Sequence, residues 1–181
     1  MAKVVRIHKF GGSETLQLED DIIGAPGPGE VLLDQKGMAL HFADTMLREG
    51  QYHLKPELPS VVGLDGAGIV EAVGPGVEHL KVGDTVCYIF NLGAHAEKRL
   101  ISADALMPVP QGVDPKNIAA TFLRGMTAQY LLRQTYQVKK GDVIKLDDPL
   151  IVVETEKASM EINGIDESFK KMINDRFCNL N

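Results

Sequence analysis

The chain opens on an alternation of apolar and polar positions. Residues 3–9, KVVRIHK, set β-branched side chains between polar ones, the period-two pattern of a half-buried strand. "GGSETLQLEDD" predicts a turn and a second strand, and "GAPGPGEVLLDQKGMAL" puts a proline–glycine corner before a longer one. The period then changes. "FADTMLREGQY" is rich in helix formers and predicts a short helix closed by Gly50. After "KPELPSVVG" come "GAGIVEAVG" and "PGVEHLKVGDTVCYI", in which Gly74, Gly76 and Gly83 are expected to supply the positive φ of tight turns. Short strands at regular spacing, punctuated by glycine, point to a small barrel or sandwich rather than a parallel sheet.

From residue 114 the texture is helical. "DPKNIAATFLRGMTAQYLLRQTYQ" starts with a cap at Asp114 and Pro115 at the first helical position, and Gly125 is expected to break it into two helices. A second change comes near 138. "VKKGDVIKLDDPLIVVE" reads as strand, turn and strand, with "TEKA" as a hairpin tip. The tail "DESFKKMINDRFCNLN" puts Phe169, Met172, Ile173 and Phe177 on one helical face behind a cap at Asp166. The expected fold class is mainly β with a few helices, a β-rich α+β arrangement. No internal repeat or low-complexity segment interrupts it.

Composition narrows the function. The 181 residues are 44% hydrophobic and 24% charged, enough apolar side chain to bury a core. A net charge of −6 argues against a nucleic-acid or anionic-membrane surface, which needs clustered Lys and Arg. The two cysteines, Cys87 and Cys178, form no C-x-x-C, which excludes a disulfide framework and a cysteine-rich zinc site and suits a reducing compartment. The start "MAKVVRIHKFGG" has no long apolar run, so no signal peptide is expected. Runs such as "LIVVE" are too short to span a bilayer, and the expected location is cytoplasmic.

Residues 1 to about 137, some three quarters of the chain, carry in order "VVRIHKFGGSETLQLED", "PGPGEVLL", "FADTMLREGQY", "LPSVVGLDGAGIVEAVGPGVEHLKVGDTVCY", "GAHAEKRL" and "FLRGMTAQYLL". This resembles the N-terminal part of the zinc-free quinone oxidoreductases of the medium-chain dehydrogenase/reductase superfamily. The resemblance implies a GroES-like, partly open β-barrel that forms one wall of an active-site cleft. It implies hydride transfer from NADPH to a quinone or enone. Zinc members of the superfamily have a cysteine where this chain has His41, and Gly-His-Glu where it has "GLD" at 63–65. A catalytic zinc needs three close protein ligands. Leu64 cannot ligate, so His41 with Asp65 is too few and no zinc is expected. Asp65 is expected to accept hydrogen bonds from nearby backbone.

A quinone oxygen that gains charge needs hydrogen-bond donors. The resemblance gives that task to positions 41, 46 and 52, where family members usually carry Asn at the first and Tyr at the second. Here they are His41, Met46 and Tyr52. Met46 cannot donate. Asp44 matches the family and is expected to organise its loop. The catalytic candidates are therefore His41, Asp44 and Tyr52. On the cofactor side, the resemblance places Gly125, Met126 and Thr127 beside the nicotinamide, Thr127 near its carboxamide, with Arg124 just before them in place of a frequent Lys. A strand ending in a glycine-rich pyrophosphate turn should follow "VKKGDVI". No G-x-G-x-x-G occurs after residue 125. The expectation is thus no Rossmann domain, doubtful NADPH binding by this chain alone, and impaired activity. "GLDGAG" at 63–68 lies between strands and is expected to be structural.

Residues 138–162, "VKKGDVIKLDDPLIVVETEKASMEI", resemble the centre of a lipoyl domain from the 2-oxo acid dehydrogenase complexes. There a lysine at an exposed hairpin tip carries lipoate, and Lys157 would be that residue. The flanking strands of a lipoyl barrel are not visible, and a lone hairpin is marginal in water. Lys157 is therefore expected to be an ordinary turn lysine, without lipoate. Both families share the strand-turn motif V-K-x-G-D, so the chain reads as a composite joined there. The expected organisation is a GroES-like barrel over 1–124, a helix over 125–137 that would lead into a nucleotide domain, a lipoyl-like hairpin over 138–162 and a helical tail over 163–181. The expected partner is a small quinone or enone, with no nucleic acid and no membrane. A carrier or a non-enzymatic interaction module is the alternative. The face left apolar without a nucleotide domain would favour a homo-oligomer.

Overall fold

The structure is a computed structural model and describes residues 1–135, 149–155 and 158–163. The chain forms two compact units, Met1–Arg124 and Gly125–Asn181. In the first, β1 (Ala2–Ile7) pairs with β2 (Gln17–Asp21) and with the short β4 (Ser60–Val61), giving a three-stranded sheet in the order β2-β1-β4. A second, five-stranded sheet follows the order β7-β3-β5-β6-β8. Its strands are β3 (Glu30–Met38), β5 (Gly66–Val73), β6 (Thr85–Tyr88), β7 (Lys98–Ser102) and β8 (Met107–Pro108). All pairings in the two sheets are antiparallel. The sheets are open, and an isolated bridge between Val4 and Ala96 links them. The mainly β class expected from the sequence is present, and where a partly open barrel was expected the described strands form open sheets.

The alternation along β3 explains the main core. Val31 and Leu33 point inward and are fully buried with Val70, Val86, Tyr88 and Ile101. Burying each aliphatic side chain contributes about 1.5–3 kcal/mol. A second cluster joins Ile7 of β1 and Leu47 to Val62 and Leu64, and so holds α1 (Phe42–Arg48) against the first sheet. A third, of Ala67, Cys87 and Ala119 with Ile118 and Phe122 beside it, seats the start of α2 (Pro115–Gln129) on the five-stranded sheet. The fit there is close. A Cβ on Gly37 would stand 2.8 Å from that of Ala119 and 3.0 Å from the Lys116 main chain.

Local chemistry sets the helix ends. Asp114 caps α2, its Oδ1 accepting the Lys116 N–H at 2.8 Å, ahead of Pro115. Gly50 ends α1 in the left-handed region, with φ 73°, and donates to the Leu47 carbonyl at 3.0 Å. Two expectations need correction. Gly125 does not break the helix, because α2 runs through it to Gln129 and continues as a π-helical segment, Tyr130–Thr135. One glycine costs a helix only about 1 kcal/mol. Gly76 and Gly83 do adopt positive φ, 81° and 92°, but Gly74 does not. Gly74 is needed for close approach, since a Cβ would lie 1.9 Å from the Gly27 carbonyl oxygen.

In the second unit, β9 (Pro149–Thr155) and β10 (Ala158–Asn163) form an antiparallel hairpin whose last facing pair is Thr155 and Ala158. Lys157 and the tail residues Asp166, Phe169, Met172, Ile173 and Phe177 lie outside the described residues.

Candidate functional site

The site is built where β3 runs out and α1 begins. Past Met38, the Ala39 N–H donates to the Asp65 carbonyl at 3.1 Å, while the Ala39 carbonyl accepts from His95 Nε2 at 3.1 Å. These two bonds deliver the chain to His41, the extended N-cap of α1 (φ −120°, ψ 162°). Opposite runs the segment 63–65. Gly63 turns it at φ 90°, and a Cβ there would sit 2.5 Å from the His95 ring. Its carbonyl accepts the N–H groups of Gly93 and Ala94 at 2.9 and 3.1 Å, and Leu64's accepts that of Asn91 at 2.8 Å.

Two candidates, His41 and Asp44, meet here beside Asp65. Asp44 is buried at 4% exposure, and its Oδ2 accepts the His41 N–H at 2.7 Å. It closes a capping box with His41 and places a negative charge at the helix N-terminus. Asp65 is buried at 2%. Its Oδ1 accepts the Phe90 N–H at 2.9 Å, as a backbone-organising acceptor should. Its Oδ2 stands 2.8 Å from His41 Nε2. That approach is off the line of an ideal hydrogen bond, yet neither atom has another partner. Because Asp65 sits two strands away in the chain, its contact with His41 was missed from the sequence.

The other candidates are elsewhere. Tyr52 lies past the far end of α1, its N–H donating to the Met46 carbonyl at 3.2 Å. Seven residues of helix make that separation roughly 10 Å along the axis. Its ring rests on the Ile7–Leu47 cluster and meets the His53 ring at 4.1 Å. Met46 is partly buried. Arg124 donates to the Ala120 carbonyl at 2.8 Å and reaches the Leu40 carbonyl at 3.4 Å, so it links α2 to the residue before His41. Gly125, Met126 and Thr127 follow it on α2 and belong to the second unit.

Beneath the site lies a buried polar network with no clear motif. Gln35 takes an inward position of β3, accepts the Tyr88 hydroxyl proton and donates to the Ala94 and Ala96 carbonyls, the latter at 2.9 Å. Arg99 covers the Tyr88 ring, its guanidinium carbon 5.1 Å from the centroid. It also donates to the carbonyls of Asn91 and Leu92 at 3.0 and 2.7 Å, and so anchors the loop that grips Gly63. Burial pushes the Tyr88 phenol pKa above its ordinary value. A polar residue at an inward strand position was the available signal. A separate, open pocket of about 250 Å³, lined by Val4, Ile22, Val61, Lys98 and Arg99 among others, holds none of the candidates.

Two group-binding expectations can be tested on this geometry. Among the described residues, no three His, Cys, Asp or Glu side chains converge as metal ligands, and His41 and Asp65 meet only as a pair. The glycines at 63–68 do not fit a pyrophosphate. Gly66 and Gly68 stand inside β5, where a Cβ would meet the Tyr88 hydroxyl at 2.6 Å and the Asp34 carbonyl oxygen at 2.3 Å. The protein's own atoms fill that space, whereas a phosphate needs an open strand-to-helix turn.

With the geometry in view, comparison with known proteins identifies the family. Residues 27–145 match the alcohol dehydrogenase GroES-like domain. The chain belongs to that family. Residues 125–166 also match the biotin-requiring enzyme family. Over 145 residues the GroES-like chain is 43% identical to a quinone oxidoreductase of Pseudomonas aeruginosa, covering 80% of this chain and 44% of the relative. It is 42% identical over 149 residues to a 2-haloacrylate reductase of a Burkholderia species, covering 80% of this chain and 45% of that protein. Among solved structures, the Escherichia coli quinone oxidoreductase complexed with NADPH superposes with a TM-score of 0.71 at 40% identity, covering 76% of this chain and 42% of that one. The chain thus spans less than half the length of these relatives. Among the described residues, no helix is long and apolar enough to cross a membrane.

Proposed function

We propose that residues 1–124 form the substrate-side wall of a zinc-independent, cytoplasmic reductase acting on a quinone or an electron-poor enone. The observation that carries this reading is the pairing of His41 with Asp65 at 2.8 Å, where a polar wall is built from protein partners with no third metal ligand among the described residues. The likeness to quinone oxidoreductases and to a 2-haloacrylate reductase supports the substrate class. NADPH, when bound, would supply the hydride. The phenol of Tyr52 is the donor assigned to the oxygen that gains charge, and Asp44 holds the first turn of α1 in place. Residues 124–127 would face the nicotinamide, and 125–137 would lead toward a nucleotide-binding domain.

The glycines at 63–68 are packed against the protein's own atoms and offer no phosphate turn, so we expect residues 1–124 by themselves to reduce quinones poorly. The experiment is NADPH oxidation by the purified 181-residue chain with a simple quinone, beside a quinone-free control and a thermal melt. A cooperative melt without turnover is the expected result. Quinone-dependent turnover that survives stringent purification would sink the impaired-activity reading. Leu40, Phe42 and Phe90 are 70%, 79% and 59% exposed, which supports self-association through this wall. A single monomer in sedimentation at high concentration would contradict it.

A second reading has its own support. The biotin-requiring enzyme match over 125–166 and the β9–β10 hairpin favour a lipoyl-like segment over 138–162, with 163–181 as its tail. Incubation with a lipoyl ligase followed by intact mass measurement tests it. No mass gain, or a gain that persists in Lys157→Arg, removes Lys157 as an attachment point.

A further inference from the structure

His95 ties three parts of the first unit together. Its main-chain N–H donates to the Val62 carbonyl at 2.9 Å, and its carbonyl accepts the Val5 N–H at 2.8 Å, which fixes it between β1 and the turn at 62–63. Its ring stands beside Gly63, where a Cβ would sit 2.5 Å from it. Gly63 also holds φ 90°, so the turn and the room for the ring both call for glycine. From there Nε2 reaches the Ala39 carbonyl at 3.1 Å, across 56 residues of sequence. A carbonyl oxygen has lone pairs and no proton, so the hydrogen of this bond sits on Nε2.

Ala39 is pinned from two sides just before His41 caps α1. Its N–H is tied to the Asp65 carbonyl and its own carbonyl to His95. We propose that His95 is a positioning residue of this wall: its Nε2–H, set by the Gly63 turn, fixes the Ala39–Leu40 peptide and with it the place where His41 and α1 begin. The inference rests on reading the wall as the substrate side of a reductase, and it gives His95 no contact with the substrate. The main core does not depend on this bond. Leu33, Val70, Val86 and Tyr88 pack in a cluster of their own. Losing the bond therefore frees the wall and leaves the five-stranded sheet intact.

The test is nitrogen-15 NMR and amide hydrogen exchange of the full chain at pH 8, where an ordinary imidazole has lost its charge and the place of its proton can be read. The His95 signals are assigned by their loss in His95→Gln. The expected spectrum has the proton on Nε2, and a bare Nε2 overturns the proposal. His95→Phe keeps a ring beside Gly63 and removes the donor. The Ala39 and His41 amides, bonded to the Asp65 carbonyl and to Asp44 Oδ2, should then exchange about tenfold faster, the worth of one hydrogen bond. The Val70 and Gly74 amides, bonded to the Asp84 and Glu30 carbonyls, should be unchanged. His95→Gln, which offers a side-chain N–H at similar reach, should restore slow exchange. Equal acceleration at every amide would mean a general loss of stability, and unchanged exchange at Ala39 and His41 an idle bond. Either result sinks the positioning role, as does fast exchange that persists in His95→Gln. If His95→Phe does not fold, the wild-type spectrum and the exchange in His95→Gln decide. No arm reads turnover. A wall fixed by His95 in a protein that never reduces a quinone, even with a nucleotide domain supplied, would end the reductase reading and leave the positioning role standing.

Discussion

Phe90 hangs from Asp65: its amide donates to Asp65 Oδ1 at 2.9 Å, across 25 residues of sequence, while the residue holds a left-handed φ of 54°. Among the described residues it is the non-glycine with positive φ. A bulky side chain in that region is strained by about 1–3 kcal/mol and persists only where its surroundings dictate it. The ring is 59% exposed, so packing does not impose the conformation. The carboxylate does.

Asp65→Ala should therefore destabilise the domain by about 1–3 kcal/mol, since the Phe90 amide loses its acceptor. Phe90→Gly should be neutral or slightly stabilising, because glycine adopts the same φ without strain. Urea unfolding of both variants checks the pair. A larger loss from Phe90→Gly than from Asp65→Ala would show that the ring, not the amide, matters.

Gln35 and Tyr88 form the next test. Tyr88→Phe leaves the Gln35 carbonyl oxygen unmet and should cost about 1–3 kcal/mol. Gln35→Leu takes away the acceptor of the Tyr88 hydroxyl and a donor to the Ala96 carbonyl, while the Ala94 carbonyl keeps the Ala96 N–H, and should cost more. Equal effects in denaturant would mean that water replaces the lost partners.

Two glycines should respond in opposite directions. Gly74→Ala forces a Cβ into the Gly27 carbonyl, and overpacking of this kind costs about 1–3 kcal/mol or more. Gly125→Ala meets nothing within 4 Å inside α2 and should stabilise by about 1 kcal/mol with stronger helical dichroism. A destabilised Gly125→Ala would revive the helix break.

Cys87 carries a pH prediction. Burial pushes its thiol up from an ordinary 9.0 to about 11. Below pH 9 the thiol is protonated in both folded and unfolded chains, so stability is unaffected. Between 9 and about 11 only the unfolded chain ionises, and stability falls by about 1.4 kcal/mol per unit at most. In Cys178→Ser, the remaining thiol should resist a thiol reagent at pH 8 until the protein is unfolded. Prompt reaction in the native state would show that the site opens.

What sequence alone revealed follows the range of each interaction. The strands β1, β2, β3, β5 and β6, the stop of α1 at Gly50 and the start of α2 at Asp114 and Pro115 depend on neighbours within one turn, and were legible; β4, β7 and β8 were not read. The Gly125 break was misjudged because a weak local penalty was weighed without the helix that continues past it. Gly74 was assigned a turn angle because its sequence neighbours look like Gly76's. Its actual neighbour is the Gly27 carbonyl, brought in by the corner before β3.

The amino-acid sequence by itself determined the β-rich class and the cap chemistry at Gly50 and Asp114, because these are properties of residue type and spacing. Only the tertiary structure decided what His41 does. Its partners arrive on different elements, Asp44 from α1 and Asp65 from the entry to β5. A histidine's useful nitrogen is set by what each ring face meets, and that is a matter of folding.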